Sequence, residues 1–442
     1  MLDLVGPGDQ RYDLSRSQFI GRPVEVLPRA VARCASAEDV AEALAHARSR
    51  GLPFAVRAGG HSNAGHSSTS GLLVDVTPAD RVDVVDGLVT VGGGVRIGRL
   101  AAVLAPLRRL VPAGSCPSVG VVGAALGGGF GSHGRLHGLT CDALVSAEVV
   151  LGDGRVVRAE DEPDLLWALR GAGGARFGVV ISATFRTATA VPRTHFRLEW
   201  SFEHAAGLVA WWQRWAPDAD DGLAAELVLF GPQFPEEPPV AVLIGAAPDR
   251  AAVEAFTADL VPPGVAEVVD LSAEDAALLH ATPYSAVAHD PAENPLAHDR
   301  PGMSTATTEF FDRPLPDRAV AALLAHFTAD RVVGELREVA FTPWRGAYAR
   351  TPGDATAFAH RDARFLVKHT VLVGPGGAAR RGDAVLARVR HSRDLLGPWG
   401  TGGAYVNFAD PDLPDTAYHG ANAARIRAVK AHYDPQDFFR TG

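Results

Sequence analysis

Two short loops hold the side chains best suited to covalent chemistry. The first, Arg57-Ala58-Gly59-Gly60-His61-Ser62 followed by Asn63-Ala64-Gly65-His66-Ser67, sets two imidazoles among small residues. The second, Ala113-Gly114-Ser115-Cys116-Pro117-Ser118-Val119-Gly120, carries a thiol. An imidazole nitrogen and a thiolate are the side-chain nucleophiles able to attack an electrophilic carbon near neutral pH. From Gly87 to Cys141 the chain has no Asp or Glu, yet it has Arg96, Arg99, Arg108, Arg109, Arg135, His133 and His137. The same stretch contains the clusters Gly92-Gly93-Gly94 and Gly127-Gly128-Gly129-Phe130-Gly131. Glycine lets a backbone approach a ligand closely and aim successive N–H groups at anionic oxygens. The pattern predicts a pyrophosphate cradle; the competing reading is a glycine-rich buried layer. No G-x-x-x-x-G-K-[ST] sequence is present, and nothing acidic lies between Gly94 and Asp142 to hold a nicotinamide dinucleotide's ribose. His61 with His66, or His133 with His137, could pair on a metal. Neither pair has a suitably spaced carboxylate or thiolate, so no metal is expected. Cys116 could instead be an inert buried thiol, while Cys34 and Cys141, in apolar periodic settings, read as core.

The elements that must position these loops alternate strand and helix. Ser36 followed by Asp39 predicts a capped helix, with Val40, Leu44 and Ala47 on one face and Gly51 closing it. Pro53–Val56 and Leu72–Asp75 read as short strands flanking the first loop. Asp86-Gly87 and Asp153-Gly154 predict tight hairpins, joining the two arms of Val82–Val91 and the strands Leu144–Leu151 and Arg155–Arg158. Val179 starts a strand running to about Arg186. From about Arg193 the glycine density falls, and stretches such as Phe196–Trp200 alternate polar and apolar, as half-exposed antiparallel strands do. Helices are expected at His204–Trp215, Arg250–Asp259 and Pro316–Phe327, which gives an antiparallel sheet with helices on one face. The last stretch, from Ala404, reads as a strand and then a helix over Tyr418–His432.

Taken in order, these motifs resemble the FAD-linked oxidases of the berberine bridge enzyme type, in the vanillyl-alcohol oxidase superfamily. The likeness extends through a strand motif, Asp354–Arg361, and an ending that contains Tyr405-Val406-Asn407-Phe408 and Tyr433–Phe439. It implies an α+β fold, with a two-subdomain PCMH-type FAD-binding domain (1–190), an α+β substrate domain with an antiparallel sheet flanked by helices (191–400), and a C-terminal segment (401–442) returning to the FAD domain. It also implies an FAD bonded at its 8α-methyl to His61 and at C6 to Cys116. Two links withdraw electron density and make the flavin a better hydride acceptor. The residues expected around the cofactor are Arg57, Gly59, Gly60, Ser62, Gly65, His66, Val119, Gly120, Gly123, Gly127, Gly128, Gly131, Val180 and Asn407.

The resemblance also refines the reaction. Val119 matches the small residue that leaves room for O2 in the family's oxidases, where a Leu is associated with dehydrogenases. Tyr405 and Asn407 match residues near the flavin, but Phe408 stands where many alcohol-oxidising relatives have a second Tyr. A phenol can take a hydroxyl proton and a phenyl ring cannot. Ala124 replaces a His of the plant alkaloid enzymes, and Arg350 stands where those enzymes have a catalytic Glu. Tyr348, expected on the same strand and face as Arg350, is the replacement phenol, with Arg350 favouring its phenolate. The expected activity is therefore oxidation of an alcohol or amine carbon of a small, secondary-metabolite substrate, with O2 reduced to hydrogen peroxide. An FAD-dependent dehydrogenase with another acceptor, a carbohydrate oxidase and a silent flavin-binding protein stay open.

Composition sets the outer bounds. The chain has 442 residues, 47% hydrophobic and 21% charged, enough for two or three ordinary domains. A net charge of −9 argues against nucleic acid or an anionic membrane as partner. No apolar run spans a bilayer, and the start lacks the pattern of a signal peptide, which makes the cytoplasm the expected address. Three cysteines are too few for a disulfide scaffold.

Overall fold

The computed structural model of the chain describes residues 2–21, 25–278, 302–374 and 382–440. Strands β1 (Asp3–Val5), β2 (Ala30–Arg33), β3 (Phe54–Arg57) and β4 (Leu72–Asp75) form a sheet ordered β1-β2-β4-β3. Both β2 and β3 run parallel to β4, so the loop carrying His61 is the crossover from β3 to β4. The expected helix, Ala37–Ser49, covers this sheet. Its N-terminus carries the predicted reciprocal cap, Ser36 with Asp39, and Val40, Leu44 and Ala47 are buried.

The chain continues through β5 (Val82–Val85), β6 (Leu88–Gly92), a two-residue β7 (Arg109–Leu110), β8 (Leu144–Val150), β9 (Val156–Arg158) and β10 (Val179–Arg186). All but β7 join an antiparallel sheet ordered β5-β6-β10-β8-β9, and β7 pairs with β11 (Ala188–Thr189). Both expected hairpins form, and Asp86 and Gly87 both have positive φ, as the tight primed turn requires. Helices Ile97–Leu104, Val121–Leu126 and Pro163–Leu169 pack on this sheet, and Ile426 and Val429 of the C-terminal helix enter the same core.

The change in patterning near Arg193 marks the start of a second sheet. Strands β12 (Arg193–Ser201), β13 (Ala224–Gly231), β14 (Val240–Ala247), β15 (Val265–Leu271), β16 (Met303–Phe311), β17 (Glu335–Pro343) and β18 (Phe365–Val373) are antiparallel, in the order β15-β12-β14-β13-β17-β18-β16. One face buries Leu227, Leu229, Phe341 and Phe365 against helices Ala205–Trp215 and Asp317–Thr328. Successive strand residues point to opposite faces. Glu226, Thr342 and Lys368 therefore sit on the other face, where they meet a cleft shared with the N-terminal half. The fold is the expected α+β arrangement.

Three local expectations are corrected. Asp354–Arg361 is a loop, because its N–H groups pair with no strand: Ala357 bonds to the Trp167 carbonyl and Phe358 to that of Arg170, while Ala355 and Arg361 bond within the segment or just before it. Arg361 is buried there and ion-paired to Asp142 at 2.7 Å. The segment at Tyr405 is a 3-10 turn, Val406–Phe408, since the Tyr405 N–H donates to a side chain, Thr308 Oγ1 at 2.9 Å, and not to a strand. The last helix is divided into Asp415–His419 and Ala423–Tyr433 by a break at Gly420, whose φ is positive. No helix among the described residues is long and apolar enough to cross a membrane.

Candidate active site

The site is built at a point where two loops touch backbone to backbone. A methyl group on Gly59 would lie 2.8 Å from the Ser118 carbonyl oxygen, and one on Gly120 would lie 2.9 Å from the Gly59 nitrogen. Only glycine at both positions allows the His61 and Cys116 loops to meet. The contact places the Ser118 hydroxyl between the two nucleophiles, 2.9 Å from His61 Nε2 and 3.3 Å from Cys116 Sγ. The ring of Phe19 stacks on His61 with centroids 4.0 Å apart, which fixes the imidazole plane. Burial pushes the Cys116 thiol above its ordinary pKa, while hydrogen bonds from Ser118 and the Val119 amide pull it back.

Both loops open into one cleft of about 740 Å³. Gly59, Gly60, Ser62, His66, Val119, Gly120, Gly123, Val180, Tyr405 and Asn407 also line it. Gly60 and Gly65 have positive φ, a turn conformation that glycine adopts without strain. Among the described residues the N–H groups of Gly59, Gly60, Ser62 and Asn63 donate to no protein acceptor. A row of unpaired donors along a cleft wall fits an anionic diphosphate, and the paired nucleophiles fit a flavin edge. The residues present therefore fit FAD.

Several expected contacts fall elsewhere. Arg57 is buried but donates to the carbonyls of Ser15 and Ser17, so it anchors the N-terminal segment. Of the two glycine clusters Gly93, Gly129 and Phe130 line the cleft, whereas none of the arginines of that stretch does. Gly127 gives room to the Asn407 amide, Gly128 to the rings of Phe358 and Tyr405, and Gly131 to the Ala113 carbonyl. Arg135 is buried against the carbonyls of Pro217 and Ala219, and Arg109 binds Thr187 and Thr189. Gly65 shapes the loop without lining the cleft. Among the described residues no cluster of three or more His, Cys, Asp or Glu could hold a metal.

The proposed phenol is displaced too. Tyr348 lies on a short helix, Ala347–Arg350, not on a strand, so it does not share a face with Arg350. Its hydroxyl donates to the Gly131 carbonyl at 3.1 Å, within an aromatic cluster with Trp344, Phe358 and Tyr405. Burial pushes this phenol upward, and Arg350, more than half exposed, pairs with Asp221 instead. Neither residue lines the cleft. Tyr405 does. Its oxygen accepts the Gly129 N–H at 2.8 Å and the Asn407 amide at 2.9 Å, and Asn407 also donates to the Ala124 carbonyl. Burial pushes the Tyr405 phenol up, against the pull of those two donors.

Sequence reasoning missed Ser118 and Phe19, whose roles depend on contacts between distant segments. It missed the wall formed by Gly173, Gly174, Ala175, Arg176 and Gly178, which the glycine run from Gly171 could have signalled. It also missed Glu226, Thr342 and Lys368 on the sheet wall, whose shared face is set by the register of three strands.

The sequence model of the FAD binding domain family matches residues 28–160, and that of the berberine and berberine like family matches residues 404–442. An uncharacterised FAD-linked oxidoreductase of Bacillus subtilis, YvdP, is 30% identical over 94% of this chain and 92% of its own length. The xylooligosaccharide oxidase of Thermothelomyces thermophilus is 30% identical over 93% of this chain and 86% of its own length. Among solved structures, Physcomitrella patens BBE-like 1 superposes with a TM-score of 0.87 at 24% identity, covering 99% of this chain and 96% of its own.

Proposed function

Because the chain belongs to the berberine bridge enzyme-like family of FAD-linked oxidoreductases, we propose that it is an oxidase whose FAD is held covalently by His61 and Cys116. It removes a hydride from an alcohol or amine carbon of a small, secondary-metabolite substrate and passes the electrons to O2, giving hydrogen peroxide. The observation that carries this reading is the junction itself, with imidazole and thiol on one serine hydroxyl at the wall of a cleft large enough for cofactor and substrate. FAD supplies the hydride acceptor when bound. The chain's own residues do the rest. The loop amides of Gly59, Gly60, Ser62 and Asn63 bind the diphosphate, Phe19 and Ser118 orient the imidazole, and Ser118 and the Val119 amide favour the thiolate. Val119 lines the cleft three residues beyond Cys116, where a short side chain leaves space for O2.

Carbohydrates are one alcohol class to test, since a relative is named for xylooligosaccharide oxidation. Acid-precipitated protein should stay yellow, and digestion should yield flavin joined to peptides containing both His61 and Cys116. Release of all flavin to the supernatant overturns the covalent reading. Anaerobic bleaching against a panel of xylobiose, glucose, benzyl alcohol and benzylamine, followed by admission of air, tests the reaction. Rapid return of colour with stoichiometric peroxide is expected. Return only on adding a quinone assigns a dehydrogenase, and no bleaching across a wide panel supports a silent flavoprotein.

A further inference from the structure

The sheet wall of the cleft carries charges apart from the His61 and Cys116 junction. Glu226 on β13, Thr342 on β17 and Lys368 on β18 share one sheet face and all line the cavity. In the register, Lys368 lies opposite Thr308 on one side and Ala340 on the other. Thr308 accepts the Tyr405 N–H, so this wall is joined directly to the segment that bears Tyr405 and Asn407. Lys368 Nζ pairs with Glu338 Oε1 at 2.8 Å and sits 5.5 Å from the centre of the Phe408 ring. The face of the Phe408 ring is thus covered by a cation. Glu226 makes no ion pair among the described residues and has a hydroxyl neighbour in Thr342.

We propose that Glu226 is the proton acceptor for an alcohol substrate of this enzyme, with protonated Lys368 as its electrostatic partner. The proposal rests on the oxidase reading above. As the hydride leaves the substrate carbon for the flavin, the Glu226 carboxylate takes the hydroxyl proton. The O–H electron pair becomes the second carbon–oxygen bond, and the alcohol is oxidised by two electrons to a carbonyl. Glu226 gives the proton up again when O2 accepts those electrons, so that one peroxide forms per carbonyl.

The other groups are unsuited. Tyr348 is outside the cleft, and Tyr405 is a buried phenol whose pKa is raised. Burial acts to deprotonate Lys368, but Glu338 and Glu226 outweigh it and keep the ammonium charged. Burial raises Glu226 above the ordinary carboxylate range; Lys368 pulls it down and Glu338 pushes it up. The charged or titratable groups facing it are Lys368, Glu338 and Tyr348, and its β14 neighbour is the apolar Ile244. A carboxyl raised toward neutrality is a better matched base than an exposed one.

The test compares wild type with Glu226→Gln, Glu226→Asp and Lys368→Met, all loaded with flavin. Without substrate, infrared difference spectra across pH should show a carboxyl band titrating above the usual carboxylate range. That band should be missing in Glu226→Gln and shifted to higher pH in Lys368→Met, which lacks the stabilising cation. With xylobiose or benzyl alcohol as probe, anaerobic reduction should rise with pH through the same midpoint. Glu226→Gln should lower it ~10²–10⁴-fold and abolish the pH limb, and Glu226→Asp should restore part of the rate. An unchanged limb in Glu226→Gln, or bleaching of the wild type by benzylamine alone, overturns the assignment. An alcohol-reduced wild type that only a quinone reoxidises refutes the oxidase reading but leaves the Glu226 comparison decisive.

Discussion

Replacing Ser118 by alanine isolates the junction on which the proposed covalent attachment would depend. The hydroxyl contacts His61 Nε2 at 2.9 Å and Cys116 Sγ at 3.3 Å, and both contacts vanish. The two nucleophiles lose unequally. His61 keeps its stacked partner Phe19, which still holds the ring plane. Cys116 keeps burial, which raises its pKa, and the weaker backbone amide contacts at position 118 and at Val119. A hydrogen bond is worth about 0.5–1.5 kcal/mol net, and each 1.4 kcal/mol is a factor of ten. The thiolate fraction, and with it the rate of the Cys116 linkage, should fall roughly 5- to 10-fold, and the His61 linkage by a factor of about two. The assay reconstitutes apoprotein with FAD, quenches in acid at intervals, and counts singly and doubly linked flavopeptides by mass. Singly linked flavin through His61 should accumulate first in the variant and convert slowly. Equal conversion rates in variant and wild type would show that Ser118 merely packs. Loss of non-covalent FAD binding as well would show that the hydroxyl shapes the loop and not the thiol.

Cys116→Ala should retain acid-stable flavin through His61, detected as a yellow pellet; a colourless pellet assigns the sole link to the thiol. Val119→Leu should slow reoxidation in air several-fold with reduction little changed, because the added methylene fills cleft space; equal rates would reduce Val119 to a packing residue. Tyr405→Phe leaves the Gly129 N–H and the Asn407 amide without their shared acceptor, and should cost about 1–3 kcal/mol in urea unfolding. His369 is buried with Nδ1 on Ser392 Oγ, and burial lowers its pKa to about 3. The unfolded chain takes up the proton below its pKa of about 6.5 while the folded chain does not, so stability falls as pH drops through that window. His369→Gln should remove about 2 kcal/mol of the wild-type loss between pH 6.5 and pH 5; parallel acid limbs would contradict the burial argument.

Local sequence was enough to place most elements. The Ser36–Asp39 cap, the Asp86-Gly87 and Asp153-Gly154 turns and the alternation from Arg193 are decided by neighbours a few residues apart. Local residue type marked His61 and Cys116 as nucleophiles, and the family resemblance of their loops made them the candidates for holding a flavin. What failed were the inferences about facing that depended on contacts with distant segments. Tyr348 and Arg350 are two residues apart, and a strand would align them. The Gly346 turn starts a helix instead and sends one inward and the other to Asp221. Asp354–Arg361 has the composition of a strand, but its hydrogen bonds are taken by a helix nearly two hundred residues earlier in the chain. The arginines of the carboxylate-free stretch carry the right charge, but distant carbonyls and hydroxyls hold Arg109 and Arg135 away from the cleft. Ser118 between His61 and Cys116, and Glu226 beside Lys368, join residues far apart in the chain. No periodicity encodes such meetings, because they exist only after Gly59 has closed on Gly120 and β13, β17 and β18 have taken their register.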